Sequence, residues 1–270
     1  NIAIITIDSG EGLEIMRHTL TAQVLARAVK NIYPDSKLAI GPTIEDGFYY
    51  DFEFQKPISE DDLEPIEKEM KKIISTNSSI TKTLASKHDA IKVFKSADET
   101  YKESIINESD QEDNFQLYYQ GDSKFVDLCR GPHLPSLKHI GPFKLTKIAG
   151  AYWKGNSKNK MLTRIYGTAW KNDKDLKLYL QRLEEAEHRD HRRLGQQMDL
   201  FHFQDEAVGA VFWHPKGWSL YQTLIEYMRQ QQELAGYREV NTPELMDRSL
   251  WEASGHWETF GENMFTSRTE

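Results

Sequence analysis

The sequence predicts an α+β fold in which mixed helices and an antiparallel sheet share one body, followed by a charged helix and a second body of different character. Three observations predict it. Residues 48–54, Phe-Tyr-Tyr-Asp-Phe-Glu-Phe, alternate as an aromatic-rich strand. Residues 14–33 and 59–75 carry apolar side chains at helical spacing. From residue 173 the pattern changes to a leucine-spaced helix with charge nearly everywhere else.

Taken in order, residues 1–7 (Asn-Ile-Ala-Ile-Ile-Thr-Ile) read as a strand, and Asp8 to Gly12 as a turn-rich connector. One strand cannot stand alone, so residues 1–13 are expected to be the end of a preceding small domain. The helix over 14–33 places Leu20, Val24, Leu25, Ala28, Val29 and Ile32 at helical spacing, with Pro34 beyond its end. Residues 37–42 predict a strand meeting a turn, and Asp46-Gly47 introduces the aromatic strand. Ser59 with Asp62 caps a helix whose apolar positions are Leu63, Ile66, Met70, Ile73 and Ile74. Residues 87–107 predict an amphipathic helix with polar turns, 111–114 a loop, and 115–119 a strand. Strands are also expected near 143–147 and 162–166, so that 14–171 forms one α+β unit.

The helix over 173–197 keeps Leu176, Leu180, Leu183, Ala186 and Leu194 in phase, and residues 172–199 read as a linker between two bodies. Its end, His-Arg-Asp-His-Arg-Arg over 188–193, is basic. That run is first a solvated face and second a nucleic-acid contact. In 200–270 a strand over 210–214 ends in a turn, a helix over 220–235 closes at Gly236, and a strand from 237 stops at Pro243. About seventy residues are few for a domain of this style, so the beginning of a larger one is expected.

Composition narrows the function classes. The chain has 39% apolar and 28% charged residues, and no apolar run long enough to span a membrane. Residues 1–7 lack the basic start and cleavage site of a signal peptide. One cysteine excludes an intramolecular disulfide framework and suits a reducing, cytoplasmic setting. A net charge of −8 argues against bulk capture of nucleic acid but leaves room for a local basic surface.

Residues 127–133, Asp-Leu-Cys-Arg-Gly-Pro-His, carry the densest chemistry. Cys129 and His133 are four positions apart with Gly-Pro between them, so a bent backbone can bring thiol and imidazole to one point. The upstream residues read as turn then strand, which puts Cys129 where a strand exits into a loop. A lone cysteine is more often a small buried hydrophobe than a nucleophile. A metal site needs three or four ligands, and here two are in view.

The order of motifs resembles bacterial-type threonyl-tRNA synthetases over essentially the whole chain. It runs Met-Arg-His over 16–18, Ile-Gly-Pro over 40–42, Gly-Phe-Tyr-Tyr-Asp over 47–51 and the Cys–His stretch. Gly-Ala-Tyr-Trp-Lys-Gly over 150–155, Arg-Asp-His-Arg-Arg-Leu-Gly over 189–195 and Ser-Gly-His over 254–256 follow. Each motif alone is weak; the ordered set is specific. The resemblance implies that 1–13 ends a TGS-like domain, 14–171 is a domain that hydrolyses seryl-tRNA made in error, 172–199 is a linker helix, and 200–270 begins a class II catalytic domain. The segment ending in Pro243 resembles class II motif 1, which builds a homodimer interface. The implied partners are tRNA(Thr), threonine and ATP, with no membrane. Zinc and Mg-ATP are implied for the full-length enzyme through ligands outside this segment, and no metal is expected within it.

By the same resemblance Cys129 and His133 fall on the editing pair, with Asp127, Lys102 and His18 beside them. Tyr49 and Tyr50 are the implied aromatic contacts for the terminal adenine, and Arg130 a tRNA contact. The family carries His-x-x-x-His at the helix start, whereas here His18 is followed four residues later by Ala22. Reading backwards from Lys30 and Pro34 puts Thr19 and Gln23 on those two positions, as if one residue were inserted. One residue rotates a helix by about 100°, so both registers cannot hold throughout, and weakened editing is expected. Two other readings stay open: a freestanding deacylase acting on mischarged tRNA in trans, and a synthetase-derived binding module without catalysis.

Overall fold

Helices and antiparallel sheets make up the computed structural model, which describes residues 4–267. The chain divides between Glu185 and Ala186 into two units. The expected strand at the start falls partly on residues 1–3, outside the described residues; residues 4–6 are irregular. Helix α1 (Gly10–Thr19) starts earlier than the apolar spacing predicts, because the Ser9 side chain accepts from the Gly12 N–H and caps it.

The first helix is not one α-helix. Between α1 and α2 (Ala26–Ile32), residues Leu20–Leu25 form a π-helical segment that is buried throughout. A π segment takes up one additional residue without ending the helix. That reconciles the two registers. Upstream of it His18 keeps one phase, and downstream Ala28 and Val29 reach the core in the other.

The main sheet is antiparallel and five-stranded. Its path runs β1 (Lys37–Leu38), β3 (Gly47–Glu53), β8 (Met161–Ala169) and β7 (Phe143–Tyr152), with β2 (Thr43–Ile44) also on β3. Helix α3 (Leu63–Ser75) follows the expected Ser59/Asp62 capping box, whose Ser59 N–H donates to Asp62 Oδ2 at 2.8 Å. Its Ile66, Met70 and Ile73 join Met16, Leu20, Phe48, Tyr50, Phe52 and Ile165 in the principal core.

A second, three-stranded sheet runs β4 (Ile80–Ala85), β5 (Phe115–Gln120) and β6 (Val126–Leu128). Strand β4, Ile-Thr-Lys-Thr-Leu-Ala, has no apolar alternation and lies on the sheet edge with most side chains exposed, so nothing in its pattern announced it. The amphipathic segment over 87–107 is two helices, α4 (Lys87–Ser96) and α5 (Thr100–Asn107), parted at Asp98 with φ +55°. Ala90, Phe94 and Ile106 cover Phe115 and Leu117 of this sheet.

Three sequence readings need correction beyond this point. The linker is not one helix: α6 (Asp173–His188) ends before Asp190, which caps α7 (His191–Gln197) by accepting from the Arg192 N–H at 2.8 Å. The following long helix, α8 (Pro215–Leu234), starts earlier than expected because Pro215 is suited to its first turn. The stretch 237–243 is not a strand but irregular. A strand is held by its neighbours' hydrogen bonds, and the one strand pair among the described residues of this unit, β9 (Phe201–His202) with β10 (Phe212–Trp213), does not extend to it. Short helices α9 (Arg248–Ala253) and α10 (His256–Phe260) follow. No helix among the described residues is long and apolar enough to cross a membrane.

Candidate functional site

Strand β6 ends at Leu128, and the chain turns through Cys129 to His133 against the end of α1. Gly131 makes the bend: its φ is +66°, and a Cβ there would lie 2.0 Å from Tyr118 Oη. The Gly131–Pro132 peptide is cis. The His133 ring sits edge-on to Tyr118 at 4.5 Å and 4.6 Å from the ring of His18, centroid to centroid. His18 Nε2 is 3.0 Å from Cys129 Sγ. A nitrogen from each ring and the sulfur all lie within 4.8 Å of one another.

Burial sets the charge state of this trio. It pushes the Cys129 thiol up to about 11, reinforced by Asp127, so at neutral pH the sulfur keeps its proton. It pushes His18 down, and it pushes His133 down to about 3 with a further contribution from His18. All three groups are therefore neutral near pH 7. Beside them stands a charged pair: Lys102 Nζ is 2.6 Å from Asp127 Oδ1, with side chains 4% and 2% exposed. Burial raises the Asp127 carboxyl, and Lys102 opposes that shift.

His18, Ala22, Lys102, Asp127, Cys129 and Arg130 form one wall of a cavity of about 760 Å³, a size suited to a small ligand. Ile40, Gly41 and Pro42 form an apolar part of it, and Glu108, Gln111, Asn114 and Gln116 a polar part. Arg130 is exposed at this cavity. The polar part was missed from sequence, since scattered Asn, Gln and Glu in loops carry no spacing signal.

Four expected contacts need correction. Tyr50 is fully buried in the core, so it offers no face to a nucleobase. Tyr49 points to the other side of β3, where the Arg164 guanidinium lies 3.7 Å from its ring centroid and is held by Asp51. Adjacent strand residues alternate faces, so these two tyrosines cannot share a ligand. Gln23 is fully buried against Gln120, whose amide donates to its carbonyls. Thr19 is buried and bonded to the Ile15 carbonyl, the Leu134 N–H and His133. It touches the trio, not the cavity; of the trio itself His18 and Cys129 line this cavity, while His133 lines a neighbouring one with Ile15, Leu134 and Pro135.

His18, Cys129 and His133 also form the one group of three metal-type donors among the described residues. The sequence reading counted two and expected no metal here; the fold supplies the third from α1. Two imidazoles and a thiol are donors that zinc takes, three being the count of an open site. Within the trio, the buried His133 Nε2 has no hydrogen-bond partner.

Residues 116–166 match the family model of the threonyl and alanyl tRNA synthetase second additional domain. The chain carries that domain. Over its full length it is 52% identical to a threonine–tRNA ligase of Hahella chejuensis, covering 42% of that protein. The same identity and coverage hold for the threonine–tRNA ligases of Burkholderia mallei and Burkholderia lata. The chain thus spans less than half the length of these relatives, and the match runs through both units. The match covers β5 from Gln116, β6, the Cys–His turn, β7 and β8 as far as Tyr166.

Proposed function

We propose that the unit ending at Glu185 hydrolyses the ester of seryl-tRNA(Thr), and that the protein carrying this chain joins threonine to tRNA(Thr) at the expense of ATP. The observation that carries the first half is the convergence of His18, Cys129 and His133 beside a cavity in a second additional domain. The need is physical. Serine is threonine less one methyl, and a missing methyl is worth only about 1–3 kcal/mol in a pocket. A second, hydrolytic site supplies the remaining fidelity.

In this reading a water oxygen attacks the ester carbonyl carbon, and the bond from that carbon to the ribose oxygen breaks. The tRNA leaves with a hydroxyl, and serine leaves as a carboxylate after its proton passes to solvent. His133 accepts a hydrogen bond from the water, takes its proton only as the transition state forms, since a base pushed down to about 3 holds no proton at rest, and returns it to the departing ribose oxygen. Lys102, anchored by Asp127, meets the charge that develops on the carbonyl oxygen. Cys129, a thiol at neutral pH, orders the His18 ring and does not attack. Arg130 holds a phosphate near the 3′ end. If zinc binds His18, Cys129 and His133, it polarises the carbonyl or acidifies a bound water; no step above depends on it.

Ala22 lines the cavity one helical turn beyond His18, where a second imidazole is absent, so hydrolysis is slow. For the whole protein, zinc and Mg-ATP belong to the aminoacylation site, a homodimer forms along the motif-1-like segment that ends at Pro243, and the location is cytoplasmic. The test is deacylation of seryl-tRNA(Thr) and threonyl-tRNA(Thr) by the chain and by His133→Ala. Slow loss of serine alone, abolished in the variant, supports the editing reading; no hydrolysis above buffer sinks it. Threonine- and ATP-dependent charging by the full-length gene product tests the ligase reading separately.

A further inference from the structure

Thr19 sits on the last turn of α1, fully buried, and nothing in the reaction above uses it. Its Oγ1 is 2.8 Å from the Ile15 carbonyl oxygen, 2.9 Å from the Leu134 nitrogen and 3.3 Å from His133 Nδ1. A hydroxyl has one proton and two lone pairs. The Ile15 carbonyl can only accept, so it takes the proton. The Leu134 N–H can only donate, so it takes one lone pair. What remains facing Nδ1 is the other lone pair, and Nδ1 must bring the hydrogen.

The same accounting applies to His18. Its Nδ1 lies 3.3 Å from the Pro132 carbonyl, an acceptor, so Nδ1 carries the hydrogen. Its Nε2 then receives the Cys129 S–H at 3.0 Å. Both rings are held in one tautomer, and the His18 lone pair is taken up by the thiol. His133 Nε2 is left as the unengaged imidazole lone pair, buried and without a partner.

We infer that Thr19 is a positioning residue for hydrolysis: its hydroxyl fixes His133 as the Nδ1–H tautomer and so leaves the Nε2 lone pair free to accept from the attacking water. This rests on reading His133 as the group that handles water, and it adds the residue that makes the ring competent.

The test is long-range proton–nitrogen correlation on histidine-labelled full chain, with chelator present so that no metal dictates the tautomer. The His133 signals are assigned by their absence in His133→Gln. Wild type and Thr19→Ser are expected to show a protonated Nδ1 and a bare Nε2, whereas Thr19→Val shifts population towards Nε2–H. In seryl-tRNA(Thr) deacylation, Thr19→Val should lower kcat by on the order of a hundred-fold with KM unchanged, and Thr19→Ser should restore it. A wild-type His133 protonated on Nε2 overturns the inference, and so does an unchanged tautomer in Thr19→Val. The wild-type measurement needs no variant to fold. It is also independent of whether the chain deacylates anything, so failure of the editing reading is seen separately.

Discussion

Two neighbouring groups beside the cavity handle burial in opposite ways. Lys102 and Asp127 stay together as a buried ion pair, each charge compensated by the other at 2.6 Å. For His18, Cys129 and His133 burial outweighs the charges nearby and leaves them uncharged. The difference teaches where polarity is available for chemistry. The ion pair is a fixed dipole that can meet developing charge. The neutral trio supplies lone pairs and a thiol hydrogen, which can be exchanged without moving a full charge through an apolar wall.

Breaking the ion pair should have the largest effect. Lys102→Met leaves an uncompensated buried carboxylate and is expected to cost about 3–5 kcal/mol of stability, read as a lower urea midpoint. The double variant Lys102→Met, Asp127→Asn should recover most of that loss, because no charge is then stranded. If the single and double variants unfold alike, the pair is not the compensated unit described here.

The neutral trio should show itself next, in acid. His133 is held down to about 3 in the folded chain against about 6.5 unfolded. Between those values the unfolded chain binds a proton that the folded one does not, so stability falls as pH drops from about 6.5 towards 3. Urea midpoints across that window should flatten in His133→Gln relative to wild type. An identical slope in the two proteins would mean that His133 is not buried as a neutral ring.

The smallest effect sharpens the contrast from the alkaline side. With the Cys129 thiol pushed up to about 11, alkylation of metal-free protein by iodoacetamide should stay slow at pH 8 and climb towards a midpoint near that value. Above the ordinary thiol range the unfolded chain releases a proton that the folded one keeps, so stability also declines there. A midpoint at or below the ordinary thiol value would instead indicate a reactive thiolate.

How much of this was legible in the sequence depended on whether a residue's role was set locally. The Cys129–His133 turn was readable because Gly-Pro dictates a bend whatever surrounds it, and the Ser59/Asp62 cap because four consecutive residues suffice to make it. Tyr49 and Tyr50 were misread because residue type was weighed ahead of strand alternation, which already separates their faces. The polar side of the cavity, Glu108 to Gln116, comes from a loop and two elements with no common spacing. No pattern in one dimension contains it. The break at Asp190 was written in the sequence as an Asp before a basic run, a capping signal hidden by the charge around it.

The irregular turn at Leu20–Leu25 has a consequence for how this protein can vary. His18 before it lines the cavity, and Ala28 and Val29 after it lie in the hydrophobic interior, so the six residues act as a phase adjuster between two masters. Trimming a single residue there is expected to harm the protein more than swapping any one of them for a residue of similar size. Length, at this point in the chain, is under tighter constraint than identity.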